Sequence, residues 1–277
     1  MKKIDLSYQE QLNNLASLYK KNNIILFVGA GVSMSLGLPS WSKLIDQLAK
    51  ELGYEPDIYK LFGNDYSLAE YYQIEKGNTH SLRQWMETNW YTNKIKQYHE
   101  KSVIHSLIAK SEFPIIYTTN YDRWIEQSFI AHKKKYTKVS SVSDIKNIKE
   151  NVTQIIKFHG DLENEETLVL GESSYYQRLG FETPLDIKLR SDVLGKSVLF
   201  IGYSLTDMNI RFLFYKLAQL WKNCSSNSIQ PRSYLFTDKP NPVEKAILDQ
   251  WGIDMVVAEE NSPQDALENF LSNLIEH

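Results

Sequence analysis

A single cysteine, Cys224, occurs in the 277 residues. One thiol can neither close an internal disulfide nor supply a four-cysteine zinc site. No apolar run approaches the ~18–20 residues that a membrane-spanning helix needs. The opening stretch, MKKIDLSYQEQLNNLASLYKKNN, alternates polar and apolar residues and lacks the apolar block of a signal peptide, so a cytoplasmic protein is expected. Neither sign of charge is in excess. The 31 basic and 34 acidic residues leave a formal net charge of −3, which excludes a broadly basic nucleic-acid binder but not a local patch. With 42% hydrophobic and 23% charged residues, the chain is neither collagenous, disordered nor of low complexity. No internal repeat is visible. At ~100–200 residues per domain, the length fits one large domain or two modest ones.

What the sequence does contain is a series of short apolar runs, each followed by polar residues. Ile24-Ile25-Leu26-Phe27-Val28 reads as a buried parallel strand. Further strands are expected at 114–119, 153–158, 197–201, 233–236 and 254–258, with a short one at 167–170. Helical spacing marks 6–22, 41–52, 123–131, 172–179, 184–195, 206–222, 242–251 and 263–275. Residues 54–112 show several helical patterns and no convincing strand. The alternation predicts an α/β protein with a doubly wound parallel sheet. The expected linkers are 223–232 and the Lys/Asn-rich 132–151. Within the latter, HKKKYTK at 132–138 reads as a solvated loop or a partner contact. The aromatic residues Tyr66, Tyr71, Tyr72, Trp85, Trp90 and Tyr91 read either as core or as a subunit interface.

In an open parallel sheet, ligands bind outside the carboxyl ends of the strands. Those ends carry Gly29-Ala30-Gly31-Val32-Ser33, Thr119-Asn120-Tyr121-Asp122, His159-Gly160-Asp161, Gly202-Tyr203-Ser204 and Thr237-Asp238. Glycines after a buried strand let the backbone approach a phosphate. The dinucleotide fingerprint G-x-G-x-x-G nevertheless fails at Met34, with Gly37 three residues late, so a tight turn without a ligand is the alternative. His159 suits a base that takes a proton from water or a ribose hydroxyl near pH 7, or else a structural histidine. Asn120 can hold a water or a ribose hydroxyl. Asn120 and Asp122 also suit helix capping, as do Ser204 and Asp207.

In this order, GAGVS (29–33), TTNYD (118–122), FHGD (158–161) and GYSLTD (202–207) resemble the Sir2-like family. They are similar in particular to the bacterial Sir2-like domains of anti-phage defence systems, which act as NAD⁺ hydrolases. The resemblance spans residues 20–240 or so. It implies a Rossmann-like doubly wound parallel sheet with an inserted helical module and no zinc ribbon. One domain over 1–277 is expected, with core segments near 20–53 and 113–277 and the insert near 54–112. NAD⁺ is implied as substrate, with no metal. The match places Gly29, Ala30, Gly31 and Ser33 at the ADP part and pyrophosphate. Asn120 falls at the nicotinamide ribose, with Thr119 beside it and Asp122 near the carboxamide. His159 matches the catalytic histidine. Gly202 and Ser204 match the phosphate and adenosine side, and Thr237 and Asp238 the adenosine ribose.

Three departures count against a protein deacylase. Deacylating sirtuins carry four zinc cysteines, and this chain has one. The family's Q-N-I-D appears as Thr119-Asn120-Tyr121-Asp122. Its Pro-Asp-Phe-Arg appears as Pro39-Ser40-Trp41-Ser42, without the acid or the arginine. The reaction implied is cleavage of the nicotinamide–ribose N-glycosidic bond to nicotinamide and ADP-ribose. Three alternatives stay open: a non-catalytic NAD⁺ or ADP-ribose sensor or scaffold, an NAD⁺-dependent deacylase, and nucleic-acid cleavage. No acidic cluster at metal-ligand spacing supports the last. No sensor segment is recognisable, so restraint is expected from homo-oligomerisation or a separately encoded partner. Similar stand-alone proteins pair with a HerA-type ATPase or an Argonaute-like protein.

Overall fold

The structure, a computed structural model, describes residues 7–180, 182–223, 230–258, 260 and 262–276. Cys224 and most of the expected 223–232 linker lie outside the described residues. Seven strands form one sheet: β1 (Ile24–Val28), β2 (Ile115–Thr118), β3 (Tyr136–Val139), β4 (Thr153–Lys157), β5 (Ser197–Ile201), β6 (Ser233–Thr237) and β7 (Ile253–Val257). Their order is β3-β4-β2-β1-β5-β6-β7, and every pairing is parallel. The expected Rossmann-like, doubly wound α/β architecture is therefore what the chain adopts.

Strand β1 is apolar throughout because both of its faces are covered. Ile24, Leu26 and Val28 point to one side. There they meet Leu12 and Leu15 of helix Tyr8–Lys20, Ile104 and Ile108 of helix Val103–Lys110, and Phe270 of helix Pro263–Glu276. Ile25 and Phe27 point to the other side, against Leu213 and Leu217 of helix Met208–Lys222 and Leu189 of helix Pro184–Leu194. This period-2 split builds two cores from one strand. In register, Phe27 lies between Tyr117 and Phe200.

A third core belongs to the helical module. Leu44, Ile45 and Leu48 of helix Trp41–Glu51 pack with Leu68 and Tyr72 of helix Asp65–Lys76 and Leu82 and Met86 of helix His80–Trp90. Tyr121, Trp124 and Leu162, from the ends of β2 and β4, complete it and join the module to the sheet. The aromatic set of the insert divides between roles. Tyr72 and Trp90 are buried and Tyr71 is exposed, while Tyr66, Trp85 and Tyr91 are half-buried.

Two local expectations need correction. Residues 167–170 form no strand. Thr167 ends a short 3-10 turn, and the Val169 N–H instead bonds back to the His159 carbonyl at 2.9 Å. The stretch 132–151 is not simply a loop, because it holds the edge strand β3 and a short helix, Val142–Ile145. An edge strand has one half-exposed side, so β3 carries only one buried residue, Val139, and its apolar signal is correspondingly weak.

Candidate active site

Strand β1 sits where the strand order reverses. From β1 the chain passes to β2 on one side, and β5 lies on the other. That switch point is where a parallel sheet opens a crevice. A cavity of 960 Å³ lies there, lined by the carboxyl ends of β4, β2, β1, β5 and β6. Its walls come from Leu38–Ser42, Tyr66, Trp90, Tyr175 and Ser262–Gln264. From β4 to β6 the floor crosses four strand spacings, roughly 19 Å at ~4.8 Å each. The volume is at the upper end of the ~300–1,000 Å³ typical of small-molecule sites.

Ala30, Gly31, Ser33, Thr119, Asn120, Asp122, His159, Gly202, Ser204 and Asp238 all line this cavity. Gly29 does not. Its N–H donates to Ile201 O (2.9 Å), and a Cβ placed there would overlap the Gly202 carbonyl and the Tyr203 ring. Gly31 likewise donates to Gly202 O (2.8 Å). Gly202 has φ +57, and an added Cβ would stand 2.6 Å from the Val32 nitrogen. The glycines thus let two neighbouring strand ends interlock, which is a packing reason for the motif beside any ligand reason.

Asn120 is fixed by two donations from its Nδ2, to Gly29 O (3.0 Å) and Ser33 Oγ (3.1 Å). A carbonyl can only accept, so the amide orientation is determined and Oδ1 is left as its acceptor for a ligand. Its backbone N–H donates to Thr118 Oγ1 (3.0 Å). Asp122 Oδ1 accepts from the Trp124 N–H (3.1 Å), so capping and cavity lining coincide in one residue. The Asp122 carbonyl accepts from Lys157 Nζ. Lys157, fully buried in β4, lies 3.4 Å from Glu126, whose carboxyl is pushed up by burial against the pull of that lysine.

His159 is buried to 3% exposure. The following Gly160 has φ +96, and a Cβ there would overlap the Thr167 carbonyl. Arg178 donates to the Phe158 carbonyl, lies 3.8 Å from the Phe158 ring centre, and is held by Asp186 at 2.9 Å. Burial, and then the Arg178 charge, hold the imidazole pKa well below its ordinary value, with Asp186 opposing. The ring is therefore neutral at pH 7. Its Nδ1 lies 3.5 Å from the Tyr175 hydroxyl, and its Nε2 lies 3.2 Å from Asp207 Oδ2 without hydrogen-bond alignment. Asp161 is buried and bonded to Lys138 of β3 (2.6 Å). Burial would raise its carboxyl, but Lys157 and Lys138 outweigh it and hold the pKa low.

Ser204 is exposed and bonds Thr206 Oγ1 (2.9 Å) rather than capping a helix. Asp238 lies beside Lys239, the only lysine or arginine among the described residues that line the cavity. Sequence reasoning missed Tyr175, Tyr203 and the Arg178–Asp186 pair, and gave Asp207 only its capping role. Lys157 had a visible signal, a lysine inside the apolar run TQIIKF. The Arg178–Asp186 pair had none, since its members sit on different helices with no shared period.

Among the described residues, no group of three or more His, Cys, Asp or Glu side chains could hold a metal ion, and no helix is long and apolar enough to cross a membrane. The chain is 32% identical over 208 residues to a protein named NAD(+) hydrolase ThsA from Bacillus cereus, covering 73% of this chain and 41% of that one. It is 28% identical over 202 residues to the protein of the same name from Enterococcus faecium, covering 72% and 41%. Similarity to Defense-associated sirtuin 2 of Bacillus subtilis is 27% over 260 residues, covering 88% and 24%. The chain thus spans less than half the length of each of these curated relatives. A family model described as a SIR2-like domain matches residues 114–256, just over half of the chain and the stretch that carries Asn120, His159 and Asp207. With its parallel sheet and the strand-end motifs gathered at one crevice, the chain belongs to the SIR2-like family.

Proposed function

We propose that this chain hydrolyses NAD⁺ at the nicotinamide–ribose bond, as an NAD⁺-depleting effector of anti-phage defence. The observation that carries this reading is a cavity whose lining runs from a neutral, buried His159 after β4 to Asp238 after β6. Its length suits a dinucleotide better than a mononucleotide. The relatives named NAD(+) hydrolase support the same substrate.

The departing nicotinamide takes the glycosidic electron pair and leaves neutral, so its nitrogen needs no proton. The difficulty is the oxocarbenium-like ribose left behind. Asp122, which lines the same cavity, holds the nicotinamide carboxamide. Asn120, clamped between Gly29 and Ser33, positions the ribose or the attacking water. His159 accepts the water proton as the water oxygen bonds to C1′. Ala30, Gly31, Ser33 and Gly202 contact the phosphates, Ser204 the adenosine side, and Asp238 the adenosine ribose. We read residues 1–277 as one such domain, working in the cytoplasm. Its restraint is assigned to self-association or a separately encoded partner.

The test is chromatography of NAD⁺ after incubation with the purified protein, alone and with candidate partners. Nicotinamide and ADP-ribose released without any peptide support hydrolysis over deacylation. Intact NAD⁺ under every condition, with binding seen by calorimetry, would instead identify a sensor or scaffold.

A further inference from the structure

The carboxylate of Asp207 is shared between a helix and a histidine. Its Oδ1 accepts the N–H groups of Asn209 (2.9 Å) and Ile210 (3.0 Å) at the start of helix Met208–Lys222. Its Oδ2 stands 3.2 Å from His159 Nε2, and both side chains are more than nine-tenths buried. The cap fixes the rotation of the carboxylate. With one oxygen held by the helix, the other faces the imidazole as a 3.2 Å charge contact that falls short of hydrogen-bond alignment. Across the ring, Nδ1 lies 3.5 Å from the Tyr175 hydroxyl.

We propose that Asp207 is a positioning residue for His159: its Oδ2 keeps the ring proton on Nε2 and leaves the Nδ1 lone pair as the proton acceptor. The catalytic consequence rests on the hydrolase reading above, whereas the positioning itself does not. A buried imidazole is a weak base because its cation is poorly solvated. A carboxylate on the opposite nitrogen supplies the counter-charge as the proton arrives. In that step the water oxygen bonds to ribose C1′, and the glycosidic pair passes to the nicotinamide nitrogen. The water proton goes to Nδ1 and later leaves to solvent. The other titratable groups facing the pair are Tyr66, Tyr121, Tyr175, Tyr203, Arg178 and Asp186.

Asp207→Asn separates the two roles. Asparagine caps a helix as well as aspartate does. With its Oδ1 committed to the cap, the amide turns an N–H toward Nε2 and drives the ring proton to Nδ1. Nitrogen-15 NMR of the histidine rings should show His159 as the Nε2–H tautomer in the wild-type chain and as Nδ1–H in the variant. Nicotinamide release should fall by about 10³–10⁴-fold, with the KM for NAD⁺ and the thermal midpoint little changed. Asp207→Ser also caps but cannot reach the ring, so it serves if the first variant folds poorly. It should give mixed tautomers and the same loss. An unchanged His159 tautomer in a folded variant, or release within about threefold of wild type, overturns the proposal. A tautomer switch in a chain that releases no nicotinamide sustains the positioning role and removes the hydrolase reading instead.

Discussion

At the scale of single residues, the site depends on side chains whose freedom the fold has removed. His159→Ala and Asn120→Ala should each lower nicotinamide release by ~10²–10⁴-fold. Thermal melts of both variants should stay close to wild type, since neither side chain builds the apolar cores. Near-normal turnover in either would remove that residue from the mechanism. The sequence made His159, Asn120 and Asp122 legible because each stands within a few residues of the end of an apolar strand. The second role of Asp207 was hidden by its first. A capping aspartate looks the same in sequence whether or not its other oxygen meets a histidine 48 residues earlier in the chain.

Buried histidines also set a dependence on acid. In helix Val103–Lys110, His105 is fully buried, with Nδ1 on Ser102 Oγ (2.8 Å) and no hydrogen bond at Nε2 among the described residues. Burial, and then the neighbouring His99, push its pKa down to about 3. Its unfolded value is ~6.5, so at intermediate pH the unfolded chain binds more protons. Stability from His105 is therefore complete above pH ~6.5 and is lost as pH falls toward the folded value, by at most ~1.4 kcal/mol per pH unit. His159 contributes with the same sign. Urea unfolding between pH 7 and 4.5 should show this slope, and His105→Asn should flatten it. An equal slope in that variant would assign the acid sensitivity elsewhere.

At the scale of elements, the apolar strands were readable almost residue for residue, because two-sided burial demands unbroken apolar runs. The edge strand β3 escaped because its burial is one-sided and its neighbours are lysines. That omission concealed a contact near the site, since Lys138 of β3 pairs with Asp161, two residues after His159. The loops between elements are equally constrained. Gly160→Ala and Gly202→Ala each place a side chain at positive φ and against backbone atoms. Each should cost at least ~1–3 kcal/mol in thermal or urea unfolding. Substitution at either position without loss would mean that the loop relaxes freely.

At the scale of the whole molecule, one crevice joins three cores, so filling it should be felt throughout. A non-hydrolysable NAD⁺ analogue at 100 times its Kd should stabilise the chain by about 2.7 kcal/mol. His159→Ala should respond similarly, because the loss there is chemical rather than of binding. An analogue that leaves the melting temperature of both proteins unmoved would deny the crevice its ligand.

The interlocked turns after β1 and β5 have a mechanical corollary. Two main-chain segments that occupy each other's missing side-chain space cannot part without tearing the hydrogen bonds that bind Gly29 to Ile201 and Gly31 to Gly202. The base of the crevice is in effect a closed zip. Whatever breathing admits a long ligand and frees its products must belong to the flanks, at 38–42, around Tyr66 and Tyr175, and at 262–264.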